Sequence, residues 1–311
     1  MDKEQYMMST MLIALSASVA GLLAFYWDDI VWVRRAQAVP AAIPEGATAA
    51  RPMLEAALRE ALAHDEFTLC YQPRLDLKQQ RISGVKALLR WDSPQLGLMM
   101  PPDILPVLES SGLILPVGEW VLAGAVAQAR RWIDLGQALT VTVNLSARQF
   151  FHKDIVRSVA AILEQGGVAG RFIELEIAQS TLIDRNQNCA AILRQFRQLG
   201  VGISISDFGT GVASPDYLKR FPVDVVRIDK CLIDALRRPA DDGALLRAII
   251  ARAHALKMKV IAGGVETSAQ LARLGLMDCD EAFGFCMSGA VLPAGIDLML
   301  KRPRAGLPAR G

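Results

Sequence analysis

Short apolar runs alternate with longer amphipathic segments along most of this chain. Runs of about five residues that are rich in Val, Ile and Leu and bounded by turn-forming residues are typical of buried strands. They predict strands at residues 67–72, 82–91, 140–144, 172–177, 202–206, 223–228, 259–262 and 282–286. Apolar residues spaced three and four apart predict helices at 53–64, 117–135, 154–166, 186–199, 241–257 and 268–274.

The order of these elements predicts a barrel. Only a short turn around Lys78 separates the first two strands, and it is too short for a crossover helix, so we expect these strands to pair antiparallel. Most later strands are followed by a helix, and repeated strand–helix units form parallel sheets. Eight strands in this order favour an α/β fold, a TIM-like (β/α)8 barrel with an antiparallel first strand pair.

The amino-terminal segment has a different pattern. Residues 7–27 contain no charged side chain, and their number is close to the roughly 20 residues that cross a bilayer. Aromatic residues at 25–27 end the run, and Arg34 and Arg35 follow it. Aromatic residues collect at membrane interfaces and basic residues stay on the cytoplasmic side. We therefore expect a single-pass transmembrane helix with the bulk of the chain in the cytoplasm.

Two other interpretations of this segment are a signal peptide cleaved near Ala38 and a buried core helix. The apolar run is long for either, and its head is not basic as a signal peptide requires. The expected organisation is therefore a short tail at 1–6, a transmembrane helix at 7–27, a linker at 28–51, the barrel domain at 52–304 and a disordered tail at 305–311.

Composition excludes several classes of function. The chain has 311 residues, a net charge of only +2 and no basic excess, so nucleic acid is not an expected partner. Its five cysteines lack the CxxC spacing of zinc sites, and its three histidines do not cluster. We expect a reducing compartment and no metal site built from cysteine or histidine.

Polar residues close several of the predicted strands. The segments concerned are NLSARQF, ELEI, SDFGTG, VVRID and GGVET. The carboxyl ends of barrel strands meet at one face, which carries the active site in enzymes of this architecture. Asn144, Glu176, Asp207 and Glu266 lie in these segments and are the candidate polar groups of that face.

Ordered motifs make the chain similar to a known family. YQPRLDL, GVKALLRW, ESSGLILPVGEWVL, NLSARQF, ELEI, DFGTG, YLKRFPVDVVRIDK and GVET resemble, in order and spacing, the motifs of the EAL-domain family, from about residue 67 to 292. The resemblance implies a bacterial protein with the fold of the phosphodiesterases that linearise cyclic di-GMP with two Mg²⁺ or Mn²⁺ ions. Other members of that family have lost catalysis and act as receptors or protein-binding modules.

Several positions depart from the family's pattern. The resemblance places metal ligands where this chain has Lys86, Ser206 and Gly263, and a catalytic lysine where it has Arg227. A glutamine of the last strand is replaced by Phe283. Because two hard divalent ions need several carboxylate ligands, we expect neither Mg²⁺ nor Mn²⁺, no other cofactor, and no catalysis.

The same resemblance defines a vestigial ligand site. Its expected members share a position at the barrel mouth and are Gln72, Lys86, Leu88, Arg90, Asn144, Glu176, Asp207, Arg227 and Glu266. Lys86 and Arg227 have two open roles: they pair with the remaining carboxylates, or they contact a phosphate of the ligand. Gly289 and Ala290 stand where the family has the arginine and proline that help to hold a guanine.

Two functions follow from this pattern. One is a cyclic di-GMP receptor at the bacterial inner membrane that signals through a cytoplasmic or membrane protein. The other is a scaffold that binds proteins without nucleotide, and an active phosphodiesterase is the least favoured alternative. Whether the chain forms a homodimer stays open.

Overall fold

The computed structural model describes residues 50–183, 189–209, 219–237 and 243–301. The expected transmembrane helix at 7–27, both tails and most of the linker lie outside these residues. Within the described ranges, no helix is both long enough and apolar enough to cross a membrane.

Strands and helices alternate as the apolar pattern predicts. The strands are β1 (Phe67–Asp76), β2 (Arg81–Ser93), β3 (Gly97–Met99), β4 (Thr140–Leu145), β5 (Ile173–Ala178), β6 (Gly202–Phe208), β7 (Val225–Ile228), β8 (Lys259–Gly263) and β9 (Glu281–Phe283). The helices are α1 (Ala50–Ala61), α2 (Pro101–Ser111), α3 (Ile114–Asp134), α4 (Ala147–Phe150), α5 (Ile155–Gly166), α6 (Gln179–Ile183), α7 (Cys189–Gln198), α8 (Lys230–Ala235), α9 (Ala244–Ala255), α10 (Ser268–Leu276) and α11 (Pro293–Lys301).

Eight of these strands close into a barrel, which confirms the expected fold. β1 pairs antiparallel with β2 and also with β9, so it closes the ring. The remaining neighbours, from β2 through β4 to β9, pair in parallel. β1 and β2 pair antiparallel with Cys70 opposite Leu88, which confirms the expected first strand pair. The strands run antiparallel because the turn between them leaves no room for a crossover.

Several elements differ from the sequence-based expectation, among them the short helices α4, α6 and α8 and the last helix α11, which were not predicted. Strand β3 was not predicted either; it pairs antiparallel with the end of β2 as a hairpin. Helix α2 was not predicted; it begins at Pro101, where the fixed φ of proline suits a first helical turn. β9 ends at Phe283 instead of continuing to Cys286, because the amides of Met287 and Ser288 turn back to the carbonyl of Gly284.

Alternation within the strands separates two environments. In β5, Ile173, Leu175 and Ile177 are buried in the apolar core of the molecule, which the helices share. Between them, Glu174 and Glu176 contact charged residues of other strands across the barrel axis. This period of two places the charged side chains of the strands inside the barrel.

Candidate functional site

The lower part of the barrel axis contains a buried ion-pair layer centred on Arg74. Its guanidinium lies 3.0 Å from Glu174 Oε1 and 2.5 Å from Glu281 Oε2. Thr142 accepts a hydrogen bond from Arg74 and donates one to Glu174. All four side chains are buried, so this layer fixes strands β1, β4, β5 and β9 relative to each other.

A second ion-pair layer lies above it, toward the carboxyl ends of the strands. Lys86 Nζ donates to Glu176 Oε1 at 2.7 Å, and Arg227 Nε lies 3.1 Å from the same oxygen. Arg227 Nη2 also donates to Asp207 Oδ1 at 3.1 Å. The structure thus brings together four of the expected site residues, Lys86, Glu176, Asp207 and Arg227.

Asp207 reaches this layer through an irregularity of β6. The pairing of β6 with β7 shifts between Ile205 and Phe208, as in a β-bulge. Asp207 itself has a φ of 59°, a left-handed conformation that aspartate tolerates better than most residues. Its carboxylate accepts a hydrogen bond from Ser206 Oγ at 2.9 Å and is half-exposed at the mouth.

The charges of the upper layer shift each other's protonation. Burial raises the pKa of Glu176, but Lys86 and Arg227 outweigh it, so the pKa lies below its usual range. Burial lowers the pKa of Lys86, and the single carboxylate of Glu176 does not fully offset it beside the Arg227 guanidinium. The lowered pKa of Glu176 and the lowered pKa of Lys86 are consistent with each other, because Glu176 has two cationic partners whereas Lys86 has one strong anionic partner.

The other expected residues are dispersed. Gln72 donates to the carbonyl of Ser288 and so ties β1 to the turn after β9. Leu88 is half-buried and Asn144 is exposed. The structure therefore does not join all nine expected residues in one contact network.

Glu266 lies in a separate, exposed cluster. Its carboxylate pairs with Lys230 at 2.9 Å and with Arg237, and both cations also contact Asp234. These contacts lower the pKa of Glu266 through hydrogen bonds from Lys230 and Arg237. Glu266 is present in the sequence at the expected position. Among the described residues it forms ion pairs with Lys230 and Arg237 and not with Lys86 or Arg227.

Arg90 pairs with no carboxylate among the described residues. Its side chain is 6% exposed, and Nη1 donates to the backbone carbonyl of Leu89 at 2.7 Å. Its Nε is buried without a hydrogen-bond acceptor among the described residues, and no ion pair to Arg90 is present there. Burial lowers the pKa of this guanidinium.

The upper layer does not fit a pair of divalent cations. Glu176 is already paired with an ammonium and a guanidinium, and a bound Mg²⁺ or Mn²⁺ would have to displace both. In the part of the chain that the structure describes, no group of three or more His, Cys, Asp or Glu side chains is placed to hold a metal. We derive no chemical step through a metal in this site.

The sequence pattern missed the lower layer. Arg74, Glu174 and Glu281 form it but were not candidates. Candidates were sought at the carboxyl ends of strands, whereas Glu174 and Glu281 stand at the amino ends of β5 and β9. The signal was present in β5, where two glutamates alternate with Ile and Leu in a buried strand. A charged residue at alternate positions of such a strand indicates an axial partner.

Comparison with known proteins gives one consistent result. Residues 55–290 match the family model described as EAL domain. The chain is 42% identical over 238 residues to MucR of Pseudomonas aeruginosa, a bifunctional diguanylate cyclase and cyclic di-GMP phosphodiesterase; the match covers 76% of this chain and 35% of MucR. It is 34% identical over 249 residues to the cyclic di-GMP phosphodiesterase PdeR of Escherichia coli, covering 80% and 38%.

Solved structures give the same similarity. The phosphodiesterase domain of MucR in complex with cyclic di-GMP superposes with a TM-score of 0.75 at 40% identity, covering 78% of this chain and 99% of that one. The EAL enzyme Bd1971 with cAMP and cyclic di-GMP bound gives a TM-score of 0.76 at 29% identity, covering 83% and 70%. The chain spans about a third of the length of the curated relatives.

Proposed function

This chain belongs to the EAL-domain family, whose fold is that of a cyclic di-GMP phosphodiesterase, and we propose that here the domain is a catalytically inactive receptor for cyclic di-GMP. The receptor would bind its protein partner differently with and without bound cyclic di-GMP. The printed names of MucR and PdeR assign phosphodiesterase activity to those proteins.

The upper ion-pair layer supports the loss of catalysis. Lys86 occupies the neighbourhood of Glu176 with a fixed positive charge, and Arg227 adds a second one. Positive charge at that point repels divalent cations. Ser206 and Gly263 supply no carboxylate. The domain therefore lacks the ligands that two-metal hydrolysis requires.

The observation that carries the receptor function is the buried Arg90, which has no ion pair among the described residues. A buried guanidinium without an acidic partner is costly, and an anionic ligand would remove that cost. A phosphodiester is such an anion, and arginine binds it through its planar fork of donors. The pairing of Lys86 and Arg227 with Glu176 favours a structural role for these two cations, so we assign the phosphate contact to Arg90.

We propose the following setting for the receptor. Residues 7–27 anchor the chain in the bacterial inner membrane, and Arg34 and Arg35 keep the barrel in the cytoplasm. The partner is a protein of the cytoplasm or membrane. A homodimer remains one way of transmitting the signal.

Calorimetric titration of the full chain in detergent with cyclic di-GMP tests the receptor. We expect binding that is the same in Mg²⁺ and in EDTA, because no metal takes part. Arg90→Ala should weaken binding about ten- to a hundredfold, the loss of one charge-assisted contact worth roughly 1.5–3 kcal/mol. Arg59→Ala is the matched control, since Arg59 is exposed and paired with Glu55.

The absence of binding at high micromolar nucleotide would contradict the receptor. The scaffold without nucleotide would then be the remaining function. Gly289 and Ala290, which offer no polar side chain to hold a guanine, would account for the loss.

A further inference from the structure

Phe283 of the last strand borders the upper ion-pair layer. Its ring centroid lies 5.9 Å from Lys86 Nζ, within the range of a cation–π contact. The same ring lines a cavity with room for about one water molecule, together with Lys86, Glu176 and Arg227 of the upper layer and Arg74 and Glu174 of the lower layer. An aromatic side chain therefore lies against the buried charges of the barrel axis.

The ring is in place because the neighbouring strand has no side chain opposite it. Gly263 of β8 is the register partner of Phe283 in β9. A Cβ atom at Gly263 would lie 2.9 Å from Phe283 Cζ and 3.2 Å from Arg227 Nη1. The first distance is shorter than carbon atoms tolerate, so even an alanine at 263 must displace the ring. Gly263 and Phe283 are a sterically matched pair.

The buried ion pairs of the axis contain as many cations as carboxylates. Six side chains, each no more than 18% exposed, form them: Arg74, Lys86, Arg227, Glu174, Glu176 and Glu281. The more exposed Asp207 and Lys259 add one further charge of each sign, on Arg227 and Glu281. Neither an added cation nor an added anion finds an uncompensated partner among these six. Arg90 pairs with none of them, and its Nε has no hydrogen-bond acceptor among the described residues.

We propose that Phe283 is the specificity-determining residue of the barrel mouth: its ring, accommodated by Gly263, closes the axis over Lys86. Divalent cations and phosphate groups are thereby kept from Glu176 and Lys86, and an anionic ligand is confined to the level of Arg90. This closure is independent of whether a nucleotide binds above it, so it is tested without nucleotide.

The steric match is tested by thermal unfolding of the full chain in detergent. Gly263→Ala should lower the Tm by about 3 °C or more, and the loss should fall to less than half in a Phe283→Leu background, where the end of the ring is gone. Gly275→Ala is the matched control, because a Cβ there meets no atom within 4 Å and alanine suits a helix. Equal losses in both backgrounds would overturn the pairing of Gly263 with Phe283.

The closure is tested by the reaction of lysine side chains with an acetylating reagent, mapped by mass spectrometry at neutral pH. Lys86 is 12% exposed and Lys78 is 63% exposed, so in the unmodified protein Lys86 should react at least about tenfold more slowly. Phe283→Ala should accelerate Lys86 about fivefold and leave Lys78 unchanged.

Two results would overturn the proposal. One is labelling of Lys86 as fast as Lys78 in the unmodified protein, which needs no variant to fold. The other is an unchanged Lys86 rate in a folded Phe283→Ala protein. Either result leaves the calorimetric test of Arg90 untouched, so failure of the closure and failure of the receptor are distinguishable.

Discussion

The ammonium of Lys86 and the carboxylate of Glu176 form a buried ion pair whose two halves depend on each other. Removing both charges from water costs several kcal/mol, and their attraction repays that cost only while both are present. Arg227 shares the same carboxylate oxygen, so Glu176 is held by two cations. A change at either partner leaves the other buried without full compensation.

We expect Lys86→Met to lower the free energy of unfolding by about 3 kcal/mol, because it leaves Glu176 with only Arg227. Urea denaturation of the full chain measures this. Lys78→Met is the control and should change little, since its ammonium is exposed and 4.0 Å from Asp280. Adding Glu176→Gln to Lys86→Met should restore part of the lost free energy of unfolding. If the double variant instead loses the sum of the two single losses, the pairing of Lys86 with Glu176 is contradicted.

The depressed pKa of Glu176 predicts a pH dependence. Its pKa in the folded protein is below the unfolded value of about 4.3, so its stabilising effect is present above that pH and is lost as the pH falls through the folded pKa. The stability difference between the unmodified protein and Glu176→Gln should therefore shrink from pH 6 toward pH 3. A difference that stays constant over this range would exclude the effect.

At the scale of elements, helix α11 is held on the barrel by its buried Ile296 and by polar contacts to α3. Asp297 accepts a hydrogen bond from Trp132 Nε1 at 2.8 Å and one from Arg131 Nη2 at 3.2 Å. Trp132 is fully buried and its ring packs edge-on against Tyr71 of β1. The chain just before α11 bonds to Tyr71 through Val291, so the helix and the closing strand share one anchor.

We expect Asp297→Ala to loosen α11, because it leaves the buried indole N–H of Trp132 without an acceptor, at a cost of about 1–3 kcal/mol. Amide hydrogen exchange in Pro293–Lys301 should become faster. Asp134→Ala is the matched control: Asp134 also pairs with an arginine of α3, but at an exposed site. Equal effects of the two variants would show that the contact with Trp132 does not hold the helix.

At the scale of the whole molecule, the closed barrel brings charged side chains from distant parts of the chain onto one axis. Lys86 and Glu176 are 90 residues apart in sequence, and Arg74 and Glu174 are 100 residues apart. The barrel thereby fixes two ion-pair layers and a buried Arg90 that has no ion pair among the described residues.

Purified full-length protein should leave cyclic di-GMP intact in excess Mg²⁺ or Mn²⁺, because Lys86, Ser206 and Gly263 supply no ligands for two ions. The phosphodiesterase domain of MucR is the positive control. Neither ion, nor EDTA, should shift the Tm. Turnover that disappears on Asp207→Asn, or a saturable rise in Tm with Mn²⁺, would contradict the loss of the metal site.

The proposed orientation predicts that a periplasm-dependent alkaline phosphatase fused after Gly311 is inactive in cells, because basic residues such as Arg34 and Arg35 favour the cytoplasmic side of a membrane segment. The control is a reporter that is active only in the cytoplasm, fused at the same carboxyl-terminal position; it should be active. Strong phosphatase activity would identify residues 1–38 as an export signal.

The amino-acid sequence alone determined the barrel, because periodicity is a local property. Apolar runs and amphipathic helices gave eight strands in the right order, and the short turn at Lys78 required the antiparallel first strand pair. Some short elements were not predicted. Helix α2 and strand β3 form at turns and prolines, and the effect of such residues depends on the neighbouring strands.

Only the tertiary structure decided which charges meet. A period of two places Arg74, Glu174 and Glu176 on the inner face, but it does not say which atoms touch across the axis. The separation of Glu266 from Lys86, the isolation of Arg90 and the fit of Phe283 over Gly263 depend on distances between strands far apart in sequence. Such distances are set by closure of the whole barrel, and no local pattern in the chain encodes them.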